Sequence, residues 1–238
     1  MLLLKMLCIA IISFVLIAKQ ENREIQYFPE QEWTVKEPLS FYWILVGLSL
    51  LSLILYKRVS NELTYQFVSF LVSVFGLSVL LFFIRNIIFK RRLSLDSIGF
   101  KRSYVYWFIA LISAQYSILL GFFVIKTNKE FFLFVWPLIY YSVVLIIWPL
   151  VEELLYRGLI FIPTSRKIGL LTGAILVSFL QAISHFNHSP TKIIMNFTIF
   201  GIFNCYLYVR TRGILVPLLL HSSFNFVVLV RNLELFSV

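Results

Sequence analysis

Two adjacent carboxylates, an arginine, two histidines and an asparagine are set in sequence that is otherwise apolar. Glu152, Glu153 and Arg157 fall within "IIWPLVEELLYRGLIF" (146–161), His185 ends "ILVSFLQAISH" (175–185), and His221 and Asn225 fall within "VPLLLHSSFNF" (216–226). A charged side chain near the centre of a membrane helix costs about 2.5–3.5 kcal/mol on insertion scales, so the charges in the first stretch need compensation. On a helix Glu153 and Arg157, four residues apart, share a face and can pair. Glu152 points about 100° away and has no partner within its own motif.

These residue types, if brought to one cavity, suit the activation of water. A carboxylate taken out of water becomes a stronger base, and a nearby imidazole could share the proton it accepts. His221 and Asn225 are one turn apart on a helix that Pro217 is placed to open, and they could donate hydrogen bonds to a developing oxyanion. That set amounts to a water-activating hydrolase. The plainer reading of each residue is interhelical glue; it suits Glu153 with Arg157, whereas the unpaired Glu152 reads as functional. His188, in "FNHSPTK" (186–192), reads as an exposed loop residue. Glu and His also bind zinc, but there is no HExxH pair and no histidine on the glutamate helix, so the spacing does not favour a metal and no cofactor is expected.

The elements that must position these groups are membrane helices. The chain has 238 residues, 60% of them hydrophobic, with a mean hydropathy of +0.90, far from soluble domains. Its apolar runs predict an all-α, polytopic bundle of about eight spans, near 2–18, 41–56, 65–84, 104–125, 131–151, 168–185, 193–209 and 214–230. Pro149 and Gly158 interrupt the apolar stretch 131–163, about 50 Å if wholly helical, which predicts a span broken near the glutamate pair and followed by a second short helix. Two of every three of the 21 Lys and Arg fall on one side if 19–40, 85–103, 152–167 and 210–212 are cytoplasmic, which places both termini outside. The same bias favours an uncleaved first helix over a signal peptide. The net charge of +10 lies in short clusters between apolar runs, as in "FKRRLSLDSIGFKRS" (89–103), and so argues for a lipid bilayer rather than nucleic acid as partner. Cys8 and Cys205 sit in apolar runs and read as unreactive thiols.

The motifs resemble those of the CAAX-protease and bacteriocin-processing (Abi) intramembrane proteases, which include the Ras-converting prenyl endopeptidases. "EELLYR" (152–157) fits EExxxR, "HSSFN" (221–225) fits HxxxN, "GIFNCYLYVRTRGILVPLLLH" (201–221) looks like the approach to the last motif, and "DSIGFKRS" (96–103) is similar to a stretch preceding the family core. The middle motif, FxxxH, is met only in its histidine: Gln181 stands four before His185, and Phe179 and Phe186 are out of register. The resemblance divides the chain into N-terminal helices (1–95) and a protease core (96–238). It implies a multi-pass cell-membrane endopeptidase acting on a peptide or protein substrate, such as a membrane-bound or secreted precursor. Glu152 and His185 would activate water, His221 and Asn225 would form the oxyanion hole, and Glu153 and Arg157 would support the site. Two other readings stay open: a non-catalytic scaffold or bacteriocin-immunity protein that binds a partner in the same cavity, and a small transporter with Glu152 as proton carrier.

Overall fold

The computed structural model describes residues 141–185 and 189–232, a segment at 109–115, and scattered positions between 8 and 85. Every described element is helical. Within 143–232 the chain forms four helices. Helix α1 (143–168) is continuous and built of four pieces, Val143–Ile147, Trp148–Glu153, Leu154–Phe161 and Ile162–Ile168, the first and third wound with wide, π-type turns. Helix α2 is Leu170–Ser184, α3 is Pro190–Thr211 and α4 is Leu215–Asn232. The last three fall within a few residues of the runs expected at 168–185, 193–209 and 214–230.

The expected break near Pro149 does not occur. Ile147, Trp148, Glu153 and Leu154 all keep right-handed helical dihedrals across the junctions. A proline removes one donor and its ring crowds the carbonyl four residues back. Here the preceding wide turn, in which the Trp148 N–H donates to the Val143 carbonyl five residues back, makes room. Pro149 lacks one N–H, and α4 supplies donors to the carbonyls of the turn before it: Ser222 Oγ donates to the Leu145 carbonyl at 2.6 Å and Asn225 Nδ2 to the Val144 carbonyl at 2.9 Å. The segment 152–167, which the charge bias assigns to the cytoplasmic side, forms the second half of α1, and Leu154–Phe161 is buried throughout.

Two chain reversals set the packing. Gly169, at φ +86°, ends α1 and opens α2 with no intervening loop, a conformation open to glycine and strained for other residues. At the end of α3 the Gly213 N–H reaches the Tyr208 carbonyl and the Arg212 N–H the Val209 carbonyl, each at 3.2 Å. This is the paired closure that caps helices through a left-handed residue, and Arg212 takes that conformation at φ 50°. Ser189 is extended and Pro190 takes the first position of α3, where a missing N–H costs nothing.

Helix α1 is central. Helix α2 lies along its second half and against Asn196–Phe203 of α3, while α4 lies against Val143–Glu153 and against Asn204–Thr211 of α3. Small residues allow the close approach of α2 and α3: a β-carbon at Gly201 would collide with the Ser178 side chain and sit 3.0 Å from its Cα. Ile17, Tyr42 and Val46, from the N-terminal part, are buried in the same apolar core as Leu155, Val177 and Ile202. The Tyr42 hydroxyl donates to the Leu180 carbonyl at 3.0 Å.

The outer face of α2 is apolar. Ile175, Leu176, Phe179 and Ile183 are turned outward and exposed, whereas its polar Ser178 and Gln181 lie on the buried face with Ala174 and Val177. Among the described residues Pro190–Thr211 is the one helix both long and apolar enough to cross a membrane; Leu170–Ser184 and Leu215–Val230 are apolar but shorter. The spans expected at 2–18, 41–56, 65–84 and 104–125 lie largely outside the described residues, as does His188.

Candidate active site

The two glutamates project from one turn of α1 into different surroundings. Glu153 is wholly buried, and so is Arg157, whose Nε lies 3.3 Å from Glu153 Oε2 and whose Nη1 lies 3.4 Å from Oε1. The expected pairing four residues apart is present. Oε1 also accepts from Asn204 Nδ2 of α3 and from His221 Nδ1 of α4, each at 3.0 Å. One buried carboxylate thus ties together three helices, and Arg157 brings in the fourth: its Nη2 donates to Gln181 Oε1 at 2.8 Å and to the Gly201 carbonyl at 3.1 Å. Burying charges is tolerable only when they are paired; Arg157 finds a carboxylate, an amide and a main-chain oxygen, while its Nε and Glu153 Oε2 are in ion-pair contact without a hydrogen bond.

Glu152 faces α2. Its Oε1 lies 3.5 Å from His185 Nε2 and its Oε2 accepts from Gln181 Nε2 at 3.3 Å. The pair keeps some contact with the outside, with side-chain exposures of 17% for His185 and 7% for Glu152, against zero for Glu153 and Arg157. The imidazole is oriented from behind. His185 Nδ1 is 2.9 Å from the Gln181 carbonyl and 3.1 Å from Ser184 Oγ. Ser184 spends its hydrogen on the Gln181 carbonyl and itself accepts from the Tyr156 hydroxyl. A carbonyl only accepts, so Nδ1 carries a hydrogen, and in the neutral ring the Nε2 lone pair faces the carboxylate. Glu152 Oε1 and His185 Nε2 therefore face one another across 3.5 Å, with the Gln181 amide behind and, among the described residues, no other side chain between them.

His221 follows the same logic. Glu153, paired with an arginine that stays charged, accepts, so His221 Nδ1 carries the hydrogen. The ring also lies against Phe200, with centroids 4.8 Å apart. Asn225 is held elsewhere: one of its amide hydrogens goes to the Val144 carbonyl, two turns along α1 from Glu152.

The sequence-predicted residues therefore divide. Glu152 meets His185, and Glu153 meets Arg157 and His221; Gln181 and Arg157 link the two groups. Asn225 shares a helix face with His221 and reaches the same helix α1, but at a different level. Gln181 and Asn204 are members of the cluster that sequence reasoning did not select. The signal for each was a polar residue inside an apolar run. Phe179, out of register in the middle motif, is exposed on the outer face of α2 and takes no part. Among the described residues no group of three His, Cys, Asp or Glu side chains is placed to hold a metal ion.

Among the described residues the elements are all helical, many large apolar side chains are exposed, and the charged cluster is buried at the helix crossings. Residues 134–227 match the family model described as type II CAAX prenyl endopeptidase Rce1-like. In the curated proteins the chain is 29% identical over 89 residues to "Putative membrane peptidase YdiL" of Bacillus subtilis (strain 168). That match covers 37% of this chain and 35% of the relative, so the chain spans about a third of the length of the curated relative it matches. No solved structure gives a significant match. The matched stretch 134–227 carries the EExxxR and HxxxN motifs, and it contains all of α1, α2 and α3 and most of α4.

Proposed function

We propose that this protein is a multi-pass intramembrane endopeptidase that cleaves a peptide or protein substrate with water activated by Glu152 and His185. The observation that carries the reading is the facing of Glu152 Oε1 and His185 Nε2 across 3.5 Å, with His185 Nδ1 fixed by the Gln181 carbonyl. In the proposed reaction this pair takes a proton from water, and the hydroxide adds to the carbonyl carbon of the scissile amide. Collapse of the adduct expels the amine, which takes the proton back from the pair. His221 and Asn225 are the donors assigned to the intermediate oxyanion. With Nδ1 already committed to Glu153, His221 donates through Nε2 only as the imidazolium, for which Glu153 is the counter-ion. Asn225 keeps its second amide hydrogen for this purpose while the first anchors it to Val144. The reading needs no metal, and the exposed apolar face of α2 supports a lipid surround.

The anchoring of Asn225 to α1 also favours a second reading, a non-catalytic membrane protein that binds a partner through the same helices. Reconstituted membranes containing wild type, Glu152→Ala or His185→Ala, given a mixed peptide library read by mass spectrometry with and without a zinc chelator, separate the two. Cleavage by wild type that both variants lose and chelator leaves intact is the expected result. Loss with chelator moves the chemistry to a metal, and cleavage retained by both variants sinks the proposal in favour of the second reading.

A further inference from the structure

Gln181 occupies the position where the sequence departs from the FxxxH motif, and the reaction as described gives its side chain no task. It is wholly buried, and among the described residues its amide is the one direct side-chain link between the Arg157 cluster and Glu152. Its orientation is forced. A guanidinium has donors and no acceptor, so the amide oxygen faces Arg157 Nη2, at 2.8 Å, and the amide nitrogen is left facing Glu152 Oε2, at 3.3 Å. Holding Oε2 presents the other oxygen, Oε1, to His185 Nε2. The main-chain carbonyl of the same residue receives His185 Nδ1. Both members of the Glu152–His185 pair are therefore set by one residue, and the direction of its amide is set by the charge of Arg157.

We infer that Gln181 is a positioning residue, which holds the Glu152 carboxylate in register with His185 and takes the place in this chain of the aromatic side chain in the FxxxH motif. The inference rests on the protease reading above. A phenylalanine offers no donor to a carboxylate, so here the orientation of Glu152 depends on a hydrogen bond where an aromatic ring would offer only packing. Misplacement of a reacting group by a fraction of its contact distance is felt in the turnover step more than in substrate binding, and loss of a supporting hydrogen bond behind a reacting group commonly lowers activity about 10–100-fold.

Two substitutions separate positioning from a purely structural bridge. Gln181→Met keeps the volume and removes both side-chain hydrogen bonds. Gln181→Glu keeps an acceptor for Arg157 but offers Glu152 no amide donor. Both are compared in reconstituted membranes with wild type and Glu152→Ala, using the library peptide that wild type cleaves best, together with thermal unfolding. The expected result is a kcat lowered about 10–100-fold in the folded fraction of both variants, with KM within about twofold. If Gln181→Met fails to fold, Gln181→Glu decides alone. Wild-type turnover by Gln181→Glu would show a structural bridge and overturn the inference, as would a change confined to KM. Cleavage by wild type that Glu152→Ala does not abolish overturns the protease reading instead, and so does no cleavage by wild type; the positioning role falls with it.

Discussion

Glu152 and Glu153 are neighbours in sequence and opposites in surroundings. Glu153 has no exposure and is surrounded by donors from three residues, Arg157, Asn204 and His221. Among the described residues Glu152 has one donor, the Gln181 amide, and faces His185 Nε2 at 3.5 Å. The first environment fixes a charge and the helices around it. The second leaves a carboxylate oxygen opposite a basic nitrogen at the more open edge of the cluster. Adjacent residues on a helix point about 100° apart, so the EE pair gives one side chain to the buried architecture and one to the edge where the proposed chemistry is placed.

The sharpest way to break that comparison is to remove the inner charge. Arg157→Met leaves Glu153 buried without its cation and Gln181 without the donor that orients it. Removing one partner of a buried pair costs about 3–5 kcal/mol, so the variant is expected to unfold well below wild type in detergent, with low yield. If Arg157→Met unfolds like wild type, the inner cluster is not what holds the helices, and the division of labour between the glutamates collapses.

Glu152→Gln is the converse. It keeps the shape and a partner for Gln181 and removes the base. Stability should change by less than about 1 kcal/mol, while peptide cleavage falls by about 10²–10⁴-fold, the usual worth of a general base. The same substitution at Glu153 should reverse the pattern, with stability lost first. Measuring unfolding and turnover on both variants places each glutamate on one axis or the other.

Asn204 tests the inner cluster more finely. Asn204→Leu withdraws one of the donors to Glu153 Oε1 and leaves the others in place. A hydrogen bond to a charged group contributes about 1.5–3 kcal/mol, so an intermediate loss of stability is expected, with cleavage retained by the folded fraction. A loss of turnover at unchanged stability would move Asn204 from the architecture to the reaction.

Much of this arrangement was legible before any coordinates. The apolar runs at 168–185, 193–209 and 214–230 became α2, α3 and α4, and the spacing of Glu153 and Arg157 became an ion pair. What the sequence could not show is where two helices cross. Gln181 reads as a misfit within its motif, because its value comes from standing between Arg157 on one side and Glu152 on the other, residues 24 and 29 positions away. Asn204 is similarly one polar letter in an apolar run, and its partner is 51 positions distant. Gly201 gave no signal at all; its lack of a side chain lets α3 press on Ser178 and brings its carbonyl to Arg157.

Pro149 shows most clearly why the remainder was out of reach. A proline in an apolar run states that a donor is missing, which a chain can answer by breaking or by finding another donor. Here α4 provides the donors, through Ser222 and Asn225. Ser222→Ala should therefore cost little, about 0.6 kcal/mol, the average for interhelical hydrogen bonds in a membrane. The cost should also depend on Pro149. In a Pro149→Ala background residue 149 regains an N–H one helical turn from the Leu145 carbonyl, so the serine becomes redundant. A double-mutant cycle on thermal stability should return a coupling close to the whole effect of Ser222→Ala. Additive effects would mean that the Ser222 bond does not answer the proline, and that the continuity of α1 past the glutamates comes from the wide turn alone.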